Sequence, residues 1–160
     1  GYIEYTHGTN ALAFATEATE RMRIDASGHL TIPNQPSFQG GTGTQNSTGT
    51  IVATSVYHNI GNHYNTNTGA FTAPVTGRYL VSFFGITNGQ ATLDVELRIN
   101  GSVSNQFAPY SSPAGGHTHT SGSCIAAVSA NDQLTLRLNQ GSLLGGANGR
   151  HNGCSFHLLS

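Results

Sequence analysis

The sequence predicts an all-β protein, a sandwich or jelly roll, and three observations carry that expectation. Glycine occupies 21 of the 160 positions, amid many Thr, Ser and Asn, a composition that favours short strands and turns over helices. Runs of strand character recur near 50–57, 63–73, 77–86, 92–100, 103–108, 121–129, 133–139 and 153–159, separated by Gly/Asn/Ser/Pro turns. Eight or so short strands at this spacing make a sandwich or jelly roll. An apolar period of 3.6 residues is almost nowhere sustained, and the one weak helix candidate is Asn10 to Arg23, with Ala11, Leu12, Ala15 and Ala18.

Two regions are visible. Residues 1–35 hold four of the seven acids, Glu4, Glu17, Glu20 and Asp25. Within them, Glu20 to Ile32 reads as a hairpin. Met22 and Ile24 alternate with polar residues, Gly28 takes the left-handed turn position, and Leu30 and Ile32 resume the alternation. Such a hairpin needs partner chains or a following domain, because it is not stable alone in water. Pro33 and Pro36 bracket the junction. Residues 36–160 form the second region, large enough for its own core.

The strands of the second region differ in kind. Thr92 to Asn100 places Leu93, Val95, Leu97 and Ile99 on one face and Asp94, Glu96 and Arg98 on the other, and Gln133 to Asn139 repeats the pattern. These are strands with one solvated face. Tyr79, Val81 and Phe83 share one face of their strand, while Leu80, Phe84 and Ile86 share the opposite face. Cys124 to Val128 and Cys154 to Leu159 are also largely apolar on both sides. One sheet should therefore be covered on both faces, with no helix available to cover it. The cover is either another copy of the chain or the N-terminal region.

Charge excludes several functions. Only 8% of residues are charged, lysine is absent and the net charge is -1, so no general field attracts nucleic acid or anionic membrane. No run reaches membrane-spanning length, and membrane insertion is not expected. Cys124 and Cys154 lack Cys-x-x-Cys spacing, which argues against zinc or redox work; they read as buried free thiols or as one bridge. Asp94 and Glu96, flanked by Arg98, read as a solvated ion-pair surface rather than a catalytic carboxylate pair. Gly40-Gly-Thr-Gly and Gly145-Gly-Ala-Asn-Gly lack the lysine of a phosphate loop and read as flexible turns. No enzyme is expected.

Two resemblances sharpen the reading. Asn59, Tyr64, Phe71, Gly77, Tyr79 and Phe83, with the Leu-Arg-Ile-Asn-Gly run ending at Gly101 and the terminal Cys-Ser-Phe-His-Leu-Leu-Ser, resemble the complement component 1q globular head, a jelly roll related to tumour necrosis factor. The pattern departs twice, with Ala53 where the first aromatic belongs and Val81 for a Phe. The resemblance spans roughly residues 40 to 160 and implies a homotrimer with both termini at the base. The connections near 86–91, 109–120 and 140–151 then lie at the far end, where recognition usually resides on a rigid scaffold. In them Tyr110 and Arg150 stand out as ligand contacts, and Asn88, Gln90 and Asn148 suit sugar hydroxyls. Ordinary loop solvation is the alternative for each.

The segment Phe14 to Ile32, with Glu-Arg-Met-Arg-Ile-Asp-Ala-Ser-Gly-His-Leu, resembles a recurring piece of bacteriophage tail-fibre shafts just before a distal head. It implies that residues 1–35 end a trimeric shaft, joined to other virion tail proteins. Its head would bind bacterial surface glycan, lipopolysaccharide or protein by multivalent, non-covalent adhesion, outside the cell on the virion. The alternatives are a secreted complement-1q-like recognition protein and a purely structural fibre element.

His117 and His119, two apart on an extended strand, point to one side. Three copies around an axis would present six imidazoles, which suits octahedral iron, nickel or a similar transition-metal ion. Trimeric fibre tips use such His-x-His pairs, so the resemblance implies this metal site. Hydrogen-bonded surface histidines are the other reading.

Overall fold

The computed structural model describes residues 1–87, 92–108, 117, 119–146 and 150–160. The chain divides into two compact units, Gly1–Gln35 and Pro36–Ser160.

The first unit is an antiparallel meander of Tyr2–Thr6 (β1), Ala11–Thr16 (β2), Thr19–Ile24 (β3) and Leu30–Thr31 (β4), in chain order. The helix candidate over Asn10 to Arg23 is therefore a hairpin, β2 and β3. Its decisive period is two: Ala11, Ala13 and Ala15 are buried on one face of β2. Glu17 and Ala18 turn the hairpin with φ of 51° and 58°, the left-handed pair that a two-residue turn demands. The expected hairpin across Gly28 is present, with Ile24 opposite Leu30 and Gly28 at φ +84°. Asp25 caps its turn, accepting from the amides of Ser27 (2.8 Å) and His29 (2.9 Å). Tyr2, Ile3, Tyr5, Leu30 and Ile32 remain exposed.

The second unit is an all-β sandwich of antiparallel strands. Its chain order is Ser37–Thr42 (β5), Gly49–Thr50 (β6), Ala53–Ile60 (β7), Tyr64–Asn65 (β8), Ala70–Thr72 (β9), Gly77–Ile86 (β10), Asp94–Ile99 (β11), Ser102–Ala108 (β12), His119–Val128 (β13), Gln133–Gln140 (β14) and Gly153–Leu158 (β15). One sheet runs β13-β10-β15-β5-β7, and the other β12-β11-β14-β9-β8 with β6 beside β14. This is the jelly roll that the strand spacing predicts.

The aromatic motif builds the core between the sheets. Phe71 and Phe156 stack at 5.2 Å, Phe38 stacks on Tyr64 at 3.7 Å, and Tyr79 meets Phe71 edge-on at 5.8 Å. The Tyr64 hydroxyl accepts from the Ala53 amide at 2.8 Å, so the small residue in the aromatic slot leaves room for a buried phenol that keeps a partner. Asn59 ties the turn before Tyr64, donating to its carbonyl (3.0 Å) and accepting from its amide (3.1 Å). Gly77 admits the chain end: a Cβ there would lie 2.4 Å from the Ser160 carbonyl oxygen.

Three expectations need correction. Gly40 and Gly41 lie within β5 rather than in a flexible turn, and a Cβ on Gly40 would lie 2.7 Å from the Phe38 ring and 3.0 Å from the Ser55 carbonyl oxygen. The run 63–73 is two short strands around a tight turn, with Gly69 at φ +73°. Glu96 is only 6% exposed although it faces away from the core. It pairs with Arg98 and sits in register between Gln106 and Arg137.

The stacked core carries a stability prediction. Phe71→Ala should cost about 3–5 kcal/mol, read by urea unfolding; a loss below about 1 kcal/mol would show that this ring is not central to packing.

Candidate functional site

The five-stranded sheet has two unlike faces. Tyr79, Val81 and Phe83 of β10 are buried, with Cys154 and Phe156 of β15 in register beside them. The opposite face carries Leu80, Ser82, Phe84 and Ile86 from β10. In register with these lie Ile125, Ser123, Ser121 and His119 from β13, and His157 and Ser155 from β15. Phe84 is 41% exposed and Ile125 60%. This is the second face that the alternation singled out, and its apolar residues Phe84 and Ile125 are exposed among serines and histidines.

Chain entry and exit lie at one end of this sheet. Leu158 donates to the Pro36 carbonyl (3.0 Å) and Arg78 to the Ser160 carbonyl (2.7 Å). At the other end, where β10 finishes, an open depression of ≈ 380 Å³ is lined by Phe84, Gly85, Ile86, His119, Thr120, Ser121, Arg150 and His151. It is the candidate recognition site.

Its walls are fixed from below. Asn152 is fully buried; its carboxamide accepts from the Ile86 amide (2.8 Å) and donates to the Leu144 carbonyl (2.7 Å). One side chain thus joins the end of β10 to the segment before Arg150. The Phe84 ring lies against Gly153, where a Cβ would come within 2.6 Å of it, and the His151 ring lies against Gly146 at the same distance. Both glycines make room for a ring laid on the backbone.

The structure brings Arg150 and His119 together in this depression, two residues that the sequence assigned to different roles. His117 is exposed, and its Nδ1 donates to the Thr87 carbonyl at 2.8 Å. Among the described residues no group of three His, Cys, Asp or Glu could hold a metal ion within one chain. Asn88, Gln90, Tyr110 and Asn148 lie outside the described residues. Sequence reasoning missed His151, Phe84 and Asn152 as site residues. His151 adjoins Arg150 and was legible; Asn152 looked like any loop amide.

The cysteines are free. Burial pushes the Cys154 thiol up to about 12 and raises that of half-buried Cys124, which suppresses the reactive thiolate.

The sequence model of the C1q domain matches residues 37–157. This chain belongs to the C1q domain family. Its fold is similar to the globular domain of zebrafish complement 1qA, at 18% identity and a TM-score of 0.54, covering 79% of this chain and 98% of that one. It is similar also to Eiger, a tumour necrosis factor from S. frugiperda, at 12% identity and a TM-score of 0.55, covering 79% and 94%. No curated protein matches. As C1q domains are typically binding modules, the depression is weighed as a recognition site.

Asn152→Ala should cost about 1–3 kcal/mol by stripping a buried amide and carbonyl of their partner. Hydrogen exchange at the Ile86 amide should accelerate more than at Val81; equal protection in variant and wild type would contradict the anchoring role.

Proposed function

We propose that this chain is the distal part of a bacteriophage tail fibre. In this reading the C1q domain is a trimeric head that adheres to the bacterial surface by multivalent, non-covalent contact. The observation that carries the reading is the apolar outer face of the five-stranded sheet. Leu80 lies in register with Ile125 on this face, and Ile125 is 60% exposed in the single chain, apolar surface of the kind that marks an interface. C1q domains commonly form trimers, and copies packed on the Leu80 and Ile125 end of this face would bury that apolar surface while leaving the far end open. The meander of residues 1–35, with its exposed Tyr2, Ile3 and Leu30, suits the end of an intertwined shaft, as its resemblance to fibre shafts implies. Family membership alone fits a secreted recognition protein equally; the shaft-like segment favours the fibre. Three equivalent sites on one rigid head raise avidity above that of one contact.

The folding stability of this sheet should respond to pH. His157 lies 5.6 Å from His58, ring centroid to ring centroid. Burial first, and the His58 charge second, lower the His157 pKa from 6.5. The charged and titratable groups in register on this face are His58, His119, His157 and Arg78, and none of the head's three acids, Asp94, Glu96 and Asp132, lies on its strands. Below the ordinary histidine value the unfolded chain takes up a proton that His157 in the folded sheet resists. Stability is therefore full above 6.5 and falls as pH drops from there toward the lowered value.

Sedimentation of the intact chain at neutral pH should give a trimer, and a monomer would end the fibre reading. Ile125→Glu should yield folded monomers. Lowering the pH below 6.5 should reduce stability to urea, and His157→Gln should flatten that dependence; stability indifferent to pH in both proteins would refute the role given to His157. Pull-down of host cells by the trimer separates an adhesin from an inert structural element.

A further inference from the structure

The depression at the end of β10 contains one arginine and two histidines, and no carboxylate lines it. Each acid of the head is engaged elsewhere. Glu96 pairs with Arg98, Asp94 accepts from Gln106 (2.7 Å), and Asp132 accepts from Asn100 (2.7 Å) and the Ser129 amide (2.7 Å). Arg150 therefore presents a planar fork suited to two oxygens of an external anion. The rest of the lining suits a hydroxylated body. The Phe84 ring, laid against Gly153, offers an apolar surface to the C–H face of a sugar ring. Thr120 and Ser121 add hydroxyls that both donate and accept. A volume of ≈ 380 Å³ accommodates a saccharide of one or two residues.

We propose that this depression binds an acidic saccharide, its anionic group held by Arg150 with His119 and His151 and its ring resting on Phe84. The inference rests on reading the head as a recognition module and names the ligand class of that site. Arg150 supplies the discrimination, because a neutral sugar would leave its guanidinium without an anionic partner.

The intact chain is titrated with glucuronic acid, glucose 6-phosphate and glucose, following backbone amide resonances. At least one acid should shift Gly85, Ile86, Ser121 and His151 and bind tenfold or more tighter than glucose, with affinity falling as salt rises. The tighter acid identifies the anion as carboxylate or phosphate. Arg150→Gln should remove the preference over glucose, while Arg78→Gln, at the opposite end of β10, should leave it unchanged. Equal binding of acid and glucose, acid shifts confined to other residues, or no response to either acid would overturn the proposal. Oligomeric mass measured on the same samples keeps the two readings apart. A trimer that ignores both acids refutes only this inference, and a monomer that binds them refutes only the trimer.

Discussion

The structure depends on β10, a strand apolar on both sides. Its inner residues, Tyr79, Val81 and Phe83, are fully or almost fully buried in the core. Its outer residues, Leu80, Phe84 and Ile86, extend across β13 to Ile125. A strand of a sandwich with one wet face would alternate apolar and polar, as β11 does with Leu97 inward and Arg98 outward. Here the alternation is between large aromatic residues that interlock with the second sheet and residues that need a different partner. Family membership says what kind of partner C1q domains commonly have, and the face says where it would sit.

Function follows from the same strand. Where β10 ends, its outer face meets Arg150 and His151, and Asn152 fastens the backbone there by two hydrogen bonds. The recognition site proposed is therefore an extension of the sheet, held by a buried amide and bordered by two glycines that let rings lie on the backbone. Assembly and binding use different lengths of one surface: Leu80 and Ile125 toward the end where the chain enters, Phe84 and His119 toward the far end.

Much of the head was legible because its signal is periodic or motif-borne. Leu93, Val95 and Leu97 proved to be core, and Tyr64, Phe71, Tyr79 and Phe83 proved to be one packed cluster. The misses have physical causes. Ala11 to Ala18 offered alanines that suit a helix and a small-residue strand equally, and cross-strand pairing with Thr19–Ile24 decided for the strand. Gly40-Gly41 suggested a turn, yet both lie in β5, where a Cβ on Gly40 would meet the Phe38 ring of its own strand and the Ser55 carbonyl of β7. Glu96 reads as solvated by alternation; its burial in the folded sheet is not carried by the linear pattern. The site was half legible. Arg150 and His119 stood out as residue types, but their meeting with Phe84 depends on the register of β10 against β13, which a linear pattern does not carry.

The central claim is that copies of the chain cover the Leu80 and Ile125 end of the outer face of the five-stranded sheet. Ile125 on that face and Val103 on the other sheet are each 60% exposed in the single chain, so they form an internal comparison. Carbene footprinting of the intact protein at neutral pH measures both in one sample. Strong protection of Ile125 beside full labelling of Val103 is the expected result; equal labelling of the two would contradict the covered face.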